Sequence, residues 1–153
     1  MTVSLHDVFS TVMHPSDTLT YWLLQALASL FLAILFLQSG TDKIVDHREN
    51  LDFLTGHFAK SPLAKTVGPM FLTITILETL SGLLSGIGFL LILLMHNPNV
   101  AFYGAVLSAI SLCALFFGQR VGKDYAGAAA LAPYFLVALA AIWILGTTHL
   151  VTI

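Results

Sequence analysis

FLQSGTDKIVDH, residues Phe36 to His47, is where a long apolar run ends and polar chemistry begins. The run starts near Tyr21, and within two helical turns of its end it takes on Gln38, Asp42 and Lys43. At 1.5 Å per residue, a helix from Tyr21 to Leu37 reaches most of the way across a hydrocarbon layer about 30 Å thick. The stretch therefore reads as the end of a membrane-spanning helix that surfaces into polar residues. Three further apolar runs follow it.

Composition supports that reading. Of the 153 residues, 58% are hydrophobic and 9% charged, against about 25% charged in an ordinary soluble domain. So little charge cannot clothe a water-soluble monomer, which makes the chain a single membrane domain spanning residues 1–153. The net charge of −2 leaves no basic surface for nucleic acid. One cysteine, Cys113, excludes an internal disulfide and reads as a small packing residue.

The expected fold is all-α: an integral membrane four-helix bundle with spans at about 21–44, 67–95, 100–120 and 126–149. Ser16, Asp17 or Thr18 would cap the first span, and Tyr21 and Trp22 suit an interfacial aromatic belt. Ahead of it, MTVSLHDVFSTVMHPSD lacks the positive region and apolar core of a cleavable signal. Leu5, Val8, Phe9, Val12 and Met13 instead read as a short interfacial segment ended by Pro15, the plain alternative being a loose N-terminal tail. After span 1, Leu51, Leu54 and Phe58 recur at helical spacing among Arg48, Glu49, Asp52 and Lys60. That pattern predicts a short amphipathic helix in the first loop, lying on the membrane or capping the bundle.

Small residues mark the packing faces. Gly82 and Gly86, with Ser81, Ser85 and Gly88, give span 2 a strip for close helix approach. Gly104, Ser108, Ser111, Gly118 and Gly122 do the same on span 3, and Pro133 should kink span 4. All six Lys and Arg residues fall on one side of this arrangement, at the ends of spans 1 and 3 or in the connections that follow them. The positive-inside rule then puts both charged connections in the cytoplasm and both termini outside, in a bacterial inner membrane.

Glu78 is the most informative single residue. It lies about 18 Å into span 2, where a carboxylate costs several kcal/mol unless paired, neutralised or hydrated. Thr75, Glu78, Gly82 and Ser85 share a face, so Glu78 should point into the bundle. The plain reading is a carboxyl hydrogen-bonded to a neighbouring helix. The functional one is a proton relay or ligand anchor. Lys43 shares a small, polar stripe with Gln25, Ser29, Ala33 and Gly40, and either snorkels to the surface or turns inward to Glu78 or Asp124. Arg120 and Asp124 are spaced to pair if the helix continues through Gly122, and Tyr125 adds a phenol. The plain reading there is a charged cytoplasmic loop.

The candidate polar cluster is thus Gln38, Asp42, Lys43, Glu78, Arg120, Asp124 and Tyr125. No catalytic motif is visible. His47 and His57, with Asp46 and Glu49, match no specific metal spacing, so no metal is expected. No histidine lies deep in a span as an intrinsic haem would require.

In these features the chain resembles the DoxX family of small bacterial four-helix membrane proteins. The likeness rests on Phe36-x-x-x-Gly40-x-x-Lys43-Ile44, and on Leu77-Glu78-x-x-x-Gly82-Leu83-Leu84 with Gly86-x-Gly88. It covers about residues 20 to 150; Gln119 to Gly127 looks like a subgroup feature. The resemblance implies a four-helix bundle with Lys43 and Glu78 as its characteristic polar pair. It also implies association with redox and sulfur metabolism, as in the DoxD-type subunit of thiosulfate:quinone oxidoreductase. This chain is shorter than the fusions that carry a soluble catalytic domain, and it lacks cysteines for sulfur transfer.

Two functions are expected from this reading. The first is an accessory subunit of a membrane redox or respiratory assembly, in contact with lipids and other membrane subunits or with copies of itself. The alternative is a self-contained ligand-binding or proton-coupled transport protein with a buried Lys/Glu site. No cofactor is intrinsic to the chain, and a quinone or a lipid is the candidate small molecule. An enzyme would need an electron donor that the chain does not supply.

Overall fold

A computed structural model describes residues 15–146. The interfacial segment read at Leu5 to Met13, and span 4 beyond Gly146, lie outside the described residues. Five helices occur among them: α1 Pro15–Val45, α2 His47–His57, α3 Val67–Met95, α4 Asn99–Val121 and α5 Tyr125–Gly146. Four of these, α1, α3, α4 and α5, are long and apolar enough to cross a membrane. The shortest, α5, has 22 residues and rises about 33 Å. The fold is the all-α four-helix membrane bundle, with α2 as the short helix in the first loop.

The core, with Leu32, Phe36, Ile92 and Leu145 at its centre, is shared with a set of buried polar residues, and large apolar side chains cover the outside. Gln25, Ser29, Thr75, Glu78, Ser81, Ser85, Ser108 and Ser111 are buried, while Leu94, Leu136 and Trp143 project outward. Burying hydroxyls is tolerable because most close a local bond to the preceding turn. Ser29 donates to Gln25 O at 2.8 Å, Ser81 to Leu77 O at 2.7 Å and Ser108 to Gly104 O at 2.8 Å. Between helices, the Ser81 and Ser111 hydroxyls meet at 3.3 Å. With lipid as solvent there is little gain in hiding leucine, so small residues that allow close packing take the interior.

α1 packs on α3, α3 on α4 and α4 on α5, whereas α1 and α5 meet sparsely and leave a seam. α3 uses its small residues on two faces. A Cβ on Gly82 would fall 2.6 Å from Leu37 N on α1, and one on Gly88 would collide with the Ala101 backbone on α4. The two backbones could not come this close with any side chain at those positions. α3 ends at His96, whose left-handed φ of 54° turns the chain into Asn97–Asn99.

α2 follows α1 after a single residue, Asp46, and caps the bundle by resting on α3 and α1. Leu51 and Leu54 are half-buried beneath it. Phe58, just past its end, is buried against Gly122, where a Cβ would overlap its ring. The ends of α1 and α4 and the starts of α3 and α5 are thereby gathered at one end of the bundle.

Three expectations are corrected. The chain is already helical at Pro15, so Ser16, Asp17 and Thr18 sit inside α1 instead of capping it. Cys113 is exposed on the outer face of α4, where the helix turns it away from the neighbours that its size would have suited. The third span ends about where expected, at Val121, but the helix does not continue through Gly122 to pair Arg120 with Asp124, because Lys123 takes a left-handed φ of 62° and breaks it.

Candidate functional site

Lys43 lies in the last turn of α1, and Glu78 lies well inside α3. The reason they meet is directional. Helical side chains tilt toward the N-terminus of their own helix. α1 and α3 run antiparallel, so Lys43 leans from the bundle end toward its middle while Glu78 leans from the middle toward the end. Lys43 Nζ reaches 2.7 Å from Glu78 Oε2. It also donates to Ser39 Oγ, one turn back on α1, at 2.8 Å. The lysine turns inward instead of snorkelling to the surface.

Glu78 is 2% exposed and Lys43 18%. Oε2 is enclosed and accepts no aligned hydrogen bond, although the ammonium touches it. We read the contact as a charge pair with poor hydrogen-bond direction, because distance governs the Coulomb attraction and alignment governs the bond. A carboxylate at this depth is sustained by its counter-charge, and removing either partner would leave the other stranded in a medium that solvates it badly. The pair therefore keeps an oxygen with unused acceptor capacity inside the bundle.

Glu78 also lines a cavity of about 100 Å³. All four spans contribute: Phe36 and Ser39 from α1, Glu78 from α3, Leu112 from α4, Leu131 and Tyr134 from α5. Its walls are apolar except for Glu78, Ser39 and the tyrosine. This is the usual composition of a small-molecule site, a greasy pocket with a few polar groups that set orientation.

The remaining candidates do not join this site. Gln38 is exposed on the opposite side of α1, and Asp42 is exposed at its end, where its backbone carbonyl accepts from Asn50 Nδ2 at 3.2 Å. Both lie on the outer side because a helix advances 100° per residue and Lys43 takes the inward direction. Arg120 does not pair with Asp124, since α4 ends between them; its guanidinium lies 4.8 Å from the centroid of the exposed Tyr125 ring. Asp124 instead accepts from Gly127 N at 2.9 Å, an N-cap for α5, and lies 3.5 Å from His57 Nε2. His47 packs edge-on against Phe71. No group of three His, Cys, Asp or Glu side chains gathers among the described residues.

Two residues of the site escaped the sequence reading. Ser39 had a signal, since it stands four residues before Lys43 on the same helix face. Tyr134 had only its place beside Pro133, and nothing local distinguishes it from Tyr125.

No family model, curated protein or solved structure matches this chain. The membrane architecture and the site therefore stand on the chain's own residues.

Proposed function

We propose that this multi-pass membrane protein binds a small, apolar ligand with a hydrogen-bonding head, of the quinone type, in the cavity beside Glu78, with Lys43 as the counter-charge of that carboxylate. The observation that carries the reading is a buried charge pair, one partner of which, Glu78, lines a cavity shared by all four spans. A quinol hydroxyl would donate to Glu78, and a quinone carbonyl would accept from the Tyr134 or Ser39 hydroxyl, with Lys43 holding the counter-charge. An apolar cavity of about 150 Å³ holds benzene. The 100 Å³ here is about a third short of one ring, so a ring would enter by displacing one wall, and Tyr134, 40% exposed, is the outermost.

In this reading the chain is a DoxX-like redox-associated protein of a bacterial inner membrane. Arg48, Lys60, Lys65, Arg120 and Lys123 lie at one end of the bundle, which supports a cytoplasmic assignment for that end and outside termini. Lys43 no longer counts toward the charge bias, because it is paired within the bundle.

The test is binding of a radiolabelled short-tailed quinone to the protein in lipid nanodiscs. Glu78→Gln and Lys43→Ala should each abolish it. The double substitution Lys43→Met with Glu78→Leu should also abolish it while the protein stays folded, since replacing both charges by apolar groups strands neither. Undiminished binding by the double variant rejects the reading.

The accessory-subunit reading is favoured by a different feature. α5 is the least buried span, and Trp143 on it is 74% exposed. Such a face suits a neighbouring membrane subunit or a second copy as well as lipid. Native mass spectrometry from mild detergent tests it: a mass containing other polypeptides supports a subunit, and a single chain with retained ligand supports the self-contained site.

A further inference from the structure

Along the sparsely packed seam between α1 and α5 runs a shallow apolar groove of about 530 Å³. Leu24 to Ile34 form its α1 wall, and Val137 to Ile144 its α5 wall. Ten steps of α1 rise about 15 Å, half of a hydrocarbon layer about 30 Å thick. The groove ends where the cavity beside Glu78 begins. Ile34 is followed by Leu35, which lines that cavity, and Val137 stands one turn beyond Tyr134, which also lines it. Phe31 and Tyr134 stand between the two spaces, stacked with ring centroids 6.5 Å apart.

We infer that the α1/α5 seam is the berth for a single hydrocarbon chain carried by the ligand whose head lies in the cavity beside Glu78, and that the head passes from lipid into the cavity through the Phe31–Tyr134 stack. The inference rests on the binding reading above and adds the class of ligand, a one-chain amphiphile, and its route. Continuity selects the occupant. A head at Glu78 leaves its tail emerging at Tyr134, and the groove meets that residue through Phe31, which lines the groove and stacks on it. Charge selects the head. The lining is apolar except for Glu78, Ser39 and Tyr134, and with the Lys43 ammonium already paired the phosphate of a two-chain lipid would face the Glu78 carboxylate with no counter-charge to spare.

The experiment compares a short-tailed and a long-tailed quinone, both radiolabelled, on the full-length protein in nanodiscs. Wild type should bind the long-tailed form more tightly by about tenfold or more. Ala140→Trp, on the lipid side of α5, would fill the groove. It should remove that advantage and leave short-tailed binding unchanged; Leu27→Trp is the equivalent block from α1. Tyr134→Ala should speed association of the short-tailed form by about tenfold. Equal binding of both tails, or long-tailed binding untouched by both tryptophans, overturns the seam and leaves the Glu78 site standing. An unchanged association rate in Tyr134→Ala overturns the route. Displacement of the long-tailed form alone by added phospholipid shows a general lipid groove and overturns the berth. If neither quinone binds wild type, the head site fails and the seam fails with it.

Discussion

Lys43 and Glu78 approach to 2.7 Å across the α1/α3 contact, from helices that run in opposite directions. Each side chain leans toward its own N-terminus, so the antiparallel arrangement closes a gap that their axial positions alone would leave open. Ser39 steadies the ammonium from the preceding turn.

The pair should therefore show strong energetic coupling. Lys43→Met alone removes the counter-charge from a buried carboxylate and should destabilise by up to about 3–5 kcal/mol, the range for stripping one partner of a buried pair. Adding Glu78→Leu should restore most of that loss. A double-mutant cycle on unfolding in detergent or bicelles measures it. Additive single effects would mean that the two charges do not interact.

The polar residues outside the cavity should be dispensable. Gln38→Ala and Asp42→Ala alter exposed side chains and should shift stability by no more than about 0.5 kcal/mol. Ligand binding should be unchanged in both. A loss of binding in either would enlarge the site beyond what the cavity lining defines.

Close helix approach at Gly88 should tolerate no side chain. Gly88→Ala would drive a Cβ into the Ala101 backbone, and overpacking of this kind costs about 1–3 kcal/mol or more. Gly68→Ala is the matched control, because nothing lies within 4 Å of its Cβ position; it should be neutral or slightly stabilising. Thermal unfolding of the two variants side by side checks the contrast.

Asp124 should act mainly as a helix cap. Asp124→Ala frees Gly127 N and should cost about 0.5–2 kcal/mol, whereas Asp124→Asn keeps the capping oxygen and should cost far less. Comparable losses in both variants would instead assign the effect to the contact with His57.

Cys113, the single cysteine, provides a probe of the membrane reading. It is exposed on α4, a helix apolar enough to span. A nitroxide attached there in a bilayer should collide with oxygen far more than with a water-soluble nickel complex. The reverse preference would place this face of α4 in water.

The apolar runs and their polar breaks determined the four spans, because an interval without charge and long enough to cross hydrocarbon has few alternatives to a helix. The spacing of Leu51, Leu54 and Phe58 likewise announced α2. The small-residue faces of α3 and α4 were legible in the amino-acid order alone, as was the inward direction of Glu78. Each of these follows from 3.6-residue periodicity within one helix.

What crosses between helices was settled only by tertiary structure. Lys43 had Glu78 and Asp124 as possible partners, and the antiparallel packing of α1 on α3 chose Glu78. Arg120 lost Asp124 because Lys123 broke the helix, and His57 reached that aspartate only because α2 folds back over the bundle end. Tyr134 came into the site, and Tyr125 did not, through the rotation of α5 about its axis. Local sequence sets which face of a helix is polar, but relative rotation and axial offset arise from side chains packing on several helices at once.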